Sequence, residues 1–265
     1  MSKFDGMANT MQETPPRHAY RHDFRNIEDI FYGTDDGCED GSFGEFAKFE
    51  DFYTRLEGER KRDIHLVSVV GGFYGLNLIP LFRPKRITLF DMNPHQITYG
   101  NLIIRVLTSS LDADDFLRRL TNKDYEVYSD QERTIREAIA MKQNGPLPTS
   151  RGRSKRSFSS SWKYALEHFD LTKRVLSEAV IETRVEGMQE KSFQDYVRDK
   201  KNIWIYTSNI FLFVNFKLEF SCPRNVVLMA VHLADTYILD LTGEDLGPRE
   251  VHYGSPMTAR RLVRE

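Results

Sequence analysis

Cysteine is nearly absent: Cys38 and Cys222 are the two in 265 residues, and no Cys-x-x-Cys occurs. That argues against a disulfide framework and against a zinc site, and a reducing compartment fits. Cys222, between Ser221 and Pro223, reads as a strand-end or loop residue rather than a nucleophile. No apolar run approaches the ~20 residues that cross a bilayer. The opening Met1-Ser-Lys-Phe-Asp-Gly6 has no apolar stretch of the secretory kind, so the expected location is cytoplasmic. An excess of one charge is lacking too. A net charge of −2 gives no global pull towards nucleic acid or anionic lipid, so such a partner has to be met by a local patch.

Several catalytic signatures are also missing. The acidic, Gly-rich stretch 33–44 misses the EF-hand spacing, so no metal is expected there. No Lys and Ser/Thr follow a glycine run in P-loop order, and no full Gly-x-Gly-x-x-Gly is present. Spacing reveals no Ser-His-Asp or Cys-His arrangement. His95 and His168 fall on expected helices and read as surface residues. His232 follows an apolar strand and is placed to reach a crevice at its end, while His18 and His22, near Tyr20, are placed to close over a site from the N-terminus. Asp112-Ala-Asp-Asp115 opens a helix and reads as compensation of its dipole.

What is present is a 40% hydrophobic chain with 29% charged residues, enough for a soluble protein with a sizeable core. Residues 64–70 are near-continuously apolar, as in a strand covered on both faces. A glycine turn, a short helix at 75–82 and a second strand at 87–90 follow. Pro94 then opens an amphipathic helix to about residue 107, with helical stretches at 112–121, 122–143 and from Trp162 to Ser177. Further strands are expected at 180–185, 202–207 and 225–231, with 232–241 pairing onto the last, and residues 211–220 read as a buried helix or continued apolar segment. Phe46, Phe49, Phe52 and Tyr53 lie at helical spacing within 45–60 and are expected to pack on the sheet.

This alternation predicts an α/β fold: a doubly wound, mainly parallel, Rossmann-like sheet with a helical insert. Residues 1–60 are expected to form an N-terminal tail and helical lid, and 61–265 the Rossmann-like domain, interrupted by a helical and loop insert at 108–177. Within that insert Arg151, Arg153, Lys155 and Arg156 lie in a Gly/Pro/Ser-rich loop fit to grip phosphate, with only Phe158 and Trp162 as nearby aromatics.

Chemistry is suggested most by Gly71-Gly72-Phe73-Tyr74-Gly75 after the first strand, with Asp91 ending the second, 20 residues after Gly71. Glycines let backbone approach a ligand, and an acid there accepts ribose hydroxyls. Asp91 has a rival reading as a helix cap, a role that Asn93 with Pro94 behind it fits better. The stretch resembles the class I S-adenosylmethionine-dependent transferases, although Ser68-Val69-Val70 stands where that superfamily usually has an acid before its glycines. Within it, Phe90-Asp-Met-Asn-Pro-His-Gln96 and Ser208-Asn209 are similar to fragments of the aminocarboxypropyl transferases of betaine-lipid synthesis.

The resemblance implies S-adenosylmethionine as cofactor. Backbone at Gly71, Gly72, Phe73 and Gly75 would face it, Asp91 would take its ribose, and Met92 would lie over the adenine. Met188 or Gln189 would flank the adenine edge. Thr207, Ser208 and Asn209 would line the mouth towards the acceptor, with Ser208 and Asn209 the candidate catalytic pair. The implied activity is transfer from the sulfonium, methyltransferase-like, to a small-molecule or lipid acceptor. Aminocarboxypropyl transfer, intramolecular cyclisation of the cofactor, a nicotinamide-dependent oxidoreductase and a non-catalytic binding module remain alternatives.

Overall fold

The computed structural model describes residues 42–122, 124–144, 162–188, 190–198, 200–207, 217–220, 226–232, 235–240 and 249–252. The tail before residue 42, the basic loop 151–156, both cysteines, Gln189, Ser208 and Asn209 lie outside the described residues.

Eight strands are described: β1 (His65–Val69), β2 (Arg86–Asp91), β3 (Val180–Val185), β4 (Ile203–Tyr206), β5 (Lys217–Phe220), β6 (Val226–His232), β7 (Asp235–Asp240) and β8 (Arg249–His252). Five run parallel in the order β3-β2-β1-β4-β6, and β7 adds antiparallel to β6 as its hairpin partner. The chain is thus an α/β protein with a Rossmann-like parallel sheet. Every residue of β1 and β4 is buried, the signature of strands covered on both faces. β3 lies at the sheet edge and is mostly exposed or half-buried.

The helices are α1 (Ser42–Arg55), α2 (Leu78–Phe82), α3 (Pro94–Ser109), α4 (Ala113–Thr121), α5 (Asp130–Asn144), α6 (Lys163–Glu167), α7 (Phe169–Glu178) and α8 (Lys191–Arg198). Alternation along the strands assigns them to faces. Ser68 and Tyr206 are register partners on one face, where Gly75 approaches Ser68 and Phe49 and Phe52 of α1 meet Tyr206 and Trp204. Gly100 brings α3 against Leu89 and Val70 on that side; a Cβ there would lie 3.0 Å from Leu89 Cδ1. The opposite face carries His65, Thr88 and Phe90 against α8, whose Phe193 ring lies 4.6 Å from that of Phe90. α1 therefore belongs to the layer over the sheet, as its aromatic stripe predicts.

Three expectations change. The helix expected over 122–143 starts at Asp130, because Ser129 caps it by accepting the Glu132 N–H at 3.1 Å. The helix expected from Trp162 to Ser177 is two, broken at His168, whose φ of −114° and ψ of 40° leave the helical region. Within 211–220 no helix is described; Lys217–Phe220 is a strand, antiparallel to Arg249–His252 in a separate two-stranded sheet. The insert helices α4 and α5 pack on α3, where His95 Nδ1 accepts from Gln131 Nε2 at 3.0 Å and Arg105 pairs with Glu132.

Candidate functional site

The order of the sheet reverses at β1. From it the chain builds outward through β2 and β3, then crosses back to β4 on the other side. At such a switch point the loops leaving adjacent strands diverge and open a crevice at the carboxyl ends. The turns after β1 and β2 leave at that edge, as does Thr207 at the end of β4.

After β1 the backbone turns through Gly71 (φ 20°), Gly72 (φ 69°) and Phe73 (φ 58°, ψ 37°) in a 3₁₀ segment running to Asn77. Left-handed backbone at Phe73 costs roughly 1–2 kcal/mol. Its fully buried ring and the Phe73 N–H bond to the Val70 carbonyl offset that cost. Gly75 has a different reason to be glycine: a Cβ there would overlap Ser68 Oγ and sit 3.2 Å from Ser68 Cβ, so it lets the turn lie flat on β1. Asn77 then accepts the Ala165 N–H at 3.1 Å, tying the turn to α6.

Asp91 closes β2 and faces this turn. Its Oδ2 accepts from the Gly71 N–H at 3.3 Å and its Oδ1 from the Asn93 N–H at 2.9 Å. Burial pushes its carboxyl up to about 6, although the N–H groups of Asn93, Gly71 and Met92 pull the other way. A carboxylate offers about four lone-pair positions, so with these N–H groups on it room remains for a further donor. The rivalry over the helix cap is resolved by geometry: Asn93 Oδ1 accepts the His95 N–H at 2.9 Å with Pro94 at the first helical position, which makes Asn93 the cap of α3.

Around Asp91 the other expected residues divide. Met92 is 42% exposed, whereas Met188, after β3, is buried. Thr207, at the end of β4, is fully buried, and its N–H and hydroxyl both donate to the Met229 carbonyl, at 3.0 and 3.2 Å. Its side chain thus ties β4 to β6.

The sequence reading missed Glu186. It lies between β3 and Met188, is buried, and donates its N–H to the Asp91 carbonyl at 3.0 Å. Its carboxylate pairs with Arg184 and accepts from Ser192 Oγ at 2.7 Å; burial opposes ionisation, yet these partners hold it below the usual carboxylate range. An acid directly after an edge strand was the available signal.

The histidines expected on helices are engaged elsewhere, His95 at the start of α3 with Gln131 and His168, between α6 and α7, stacked on Tyr164 at 4.3 Å. Asp112 caps α4 by accepting the Asp115 N–H at 2.8 Å. Among the described residues no group of three or more His, Cys, Asp or Glu is placed to hold a metal ion, and no helix is long and apolar enough to cross a membrane.

Fold and site together define a Rossmann-like α/β protein with a glycine turn and an acid at its switch point. No family model matches the chain, and a search of curated proteins finds none similar to it.

Proposed function

We propose that the chain is an S-adenosylmethionine-dependent transferase, moving the methyl group of the sulfonium to a small-molecule or lipid acceptor. The observation that carries this reading is the meeting of the Gly71 N–H with the Asp91 carboxylate, 3.3 Å apart, at the carboxyl ends of adjacent parallel strands. A ribose needs a fixed acceptor with room for a further donor, and Asp91 has it. A chain of atoms passing close to backbone needs residues without side chains, and Gly71 and Gly72 supply that. A purine needs an apolar cover, and the half-exposed Met92 stands next to the acid.

The sulfonium cofactor brings its own leaving group. What the protein must supply is position and exclusion of water, which explains why no nucleophile or metal cluster is needed among these residues. Asp91 would orient the nucleoside as a charge-assisted acceptor. Thr207 is buried and ties the end of β4 to Met229 of β6, and Met188 is buried after β3.

The test is calorimetric titration of the protein with S-adenosylmethionine, its demethylated product and methylthioadenosine, with mass analysis of the mixture. Binding with formation of the demethylated product supports methyl transfer. Release of methylthioadenosine moves the assignment to aminocarboxypropyl transfer or cyclisation. Absence of binding to all three sinks the reading and leaves a Rossmann-like module with another ligand.

A further inference from the structure

The opposite end of the sheet carries a second concentration of chemistry. A groove of about 340 Å³ opens between the amino end of β2 and the last turns of α7. Arg83, Lys85 and Arg174 line it as cations, Val175 and Ala179 among its apolar walls, and Glu178 as its single carboxylate. None of the three cations makes an ion pair or a side-chain hydrogen bond with another described residue, and all three are exposed.

Their backbones are held firmly. Arg83 ends α2 in left-handed geometry (φ 47°, ψ 54°), a position where glycine is cheaper, with its N–H on the Ile79 carbonyl. Lys85 donates to Ile64 and accepts from Val180, both at 3.0 Å, so neighbouring strands fix it from either side. Parallel register brings more cations to the same edge. Arg86 pairs with His65 and Val180, and Arg60, Lys61 and Arg62 precede β1 as Lys200 and Lys201 precede β4. Acidic residues stand at that edge too, Glu59 and Asp63 before β1 and Asp240 opposite Val227, but they are fewer than the cations, so a chain of net charge −2 gathers a positive excess there.

We propose that this groove binds a phosphate group borne by an organic ligand. Two guanidinium forks match phosphate oxygens in bidentate fashion, and a lysine adds a point charge. The apolar walls suit the carbon part of a phosphate ester. That ester has two sources, a soluble compound or the headgroup of a membrane lipid. The site stands on observations separate from the proposed transferase activity.

The test uses the full chain, an Arg83→Gln/Arg174→Gln double variant, and Arg133→Gln on α5 as a control. Glycerol phosphate and inorganic phosphate are titrated by calorimetry at low salt, and vesicles of phosphatidylcholine with and without phosphatidate are sedimented with the protein. Binding is expected to weaken roughly tenfold or more in the double variant and to stay unchanged in the control. Binding of the soluble phosphates alone assigns a free ligand; phosphatidate-dependent sedimentation that glycerol phosphate displaces assigns a lipid. Either supports the site. No binding of any probe, equal binding by the double variant, or tighter binding of single-stranded RNA that phosphate does not displace overturns it. Affinity for S-adenosylmethionine should be the same in all three proteins, so failure here and failure of the transferase reading are separately visible.

Discussion

Asp91 holds a charge where burial resists one. Its folded pKa, about 6, lies above its ordinary value, so in the free protein the proton is held more tightly than in the unfolded chain. The stability this contributes is complete below the unfolded pKa and is lost as pH rises through about 6. A ligand that donates hydroxyls to the carboxylate favours the ionised form. Nucleoside-cofactor affinity should therefore fall as pH drops below about 6 and be level above it, with proton release on binding at pH 5.5; titrations in buffers of different ionisation enthalpy check both. Asp91→Ala should weaken binding by about 1.5–3 kcal/mol, as expected for bonds to a charged acceptor, and an unchanged affinity in the folded variant removes Asp91 from the site. Gly75 is a separate case, set by packing. Gly75→Ala should cost about 1–3 kcal/mol in denaturant unfolding through overlap with Ser68, and Ser68→Ala should recover part of it.

At the scale of elements, β1, β2 and β3 are joined to α8 by a chain of hydrogen bonds, buried at its His65–Thr88 end and half-buried at Tyr196 and Glu182. Tyr196 OH donates to Glu182 Oε2 at 2.6 Å, so it accepts from Thr88 Oγ1 at 2.8 Å, and Thr88 in turn accepts from His65 Nε2 at 2.8 Å. One direction of donation satisfies all four side chains and leaves the proton of a neutral His65 on Nε2. Burial holds His65 down to about 4, with Lys200 and Arg86 adding to it against Glu182, while burial and the Glu182 bond push Tyr196 up to about 12. A depressed histidine stabilises the fold fully above its ordinary value of 6.5 and less as pH falls towards 4. Asp91 works the other way over the same range, so the reading is the difference: in an Asp91→Asn background the urea midpoint should drop between pH 7.5 and pH 5, and adding His65→Gln should flatten that drop. Neither this chain nor the α8 dock was foreseen, because His65, Thr88, Glu182 and Tyr196 are far apart in sequence and each looks ordinary in its own segment. Local signals served better: Asn93-Pro94 marked the start of α3, and the apolar runs marked β1 and β4. The Ser129–Glu132 spacing of the α5 cap was legible and passed over. The pairing of Lys217–Phe220 with Arg249–His252 had no local signal, since four-residue strands owe their form to a distant partner.

At the scale of the molecule, a parallel sheet has two chemically distinct ends, and this chain loads them differently. The carboxyl ends of β1 and β2 carry the glycine turn and Asp91; the amino ends carry the arginines and lysines. The first was legible because a Gly-rich turn and an acid 20 residues apart are contiguous with the strands they end. The second was hidden, because Arg83, Lys85 and Arg174 become neighbours only when α7 returns to the start of β3. β2 separates the ends by roughly 17 Å, five steps of an extended strand. With no shared partner across that distance, their energetics should be independent. In a cycle of Asp91→Ala, Arg83→Gln/Arg174→Gln and the combination, each change should weaken its own ligand by the same factor in either background. A coupling above about 0.5 kcal/mol in paired titrations with S-adenosylmethionine and glycerol phosphate would mean that the sheet transmits between its ends, and that the two sites belong to one function.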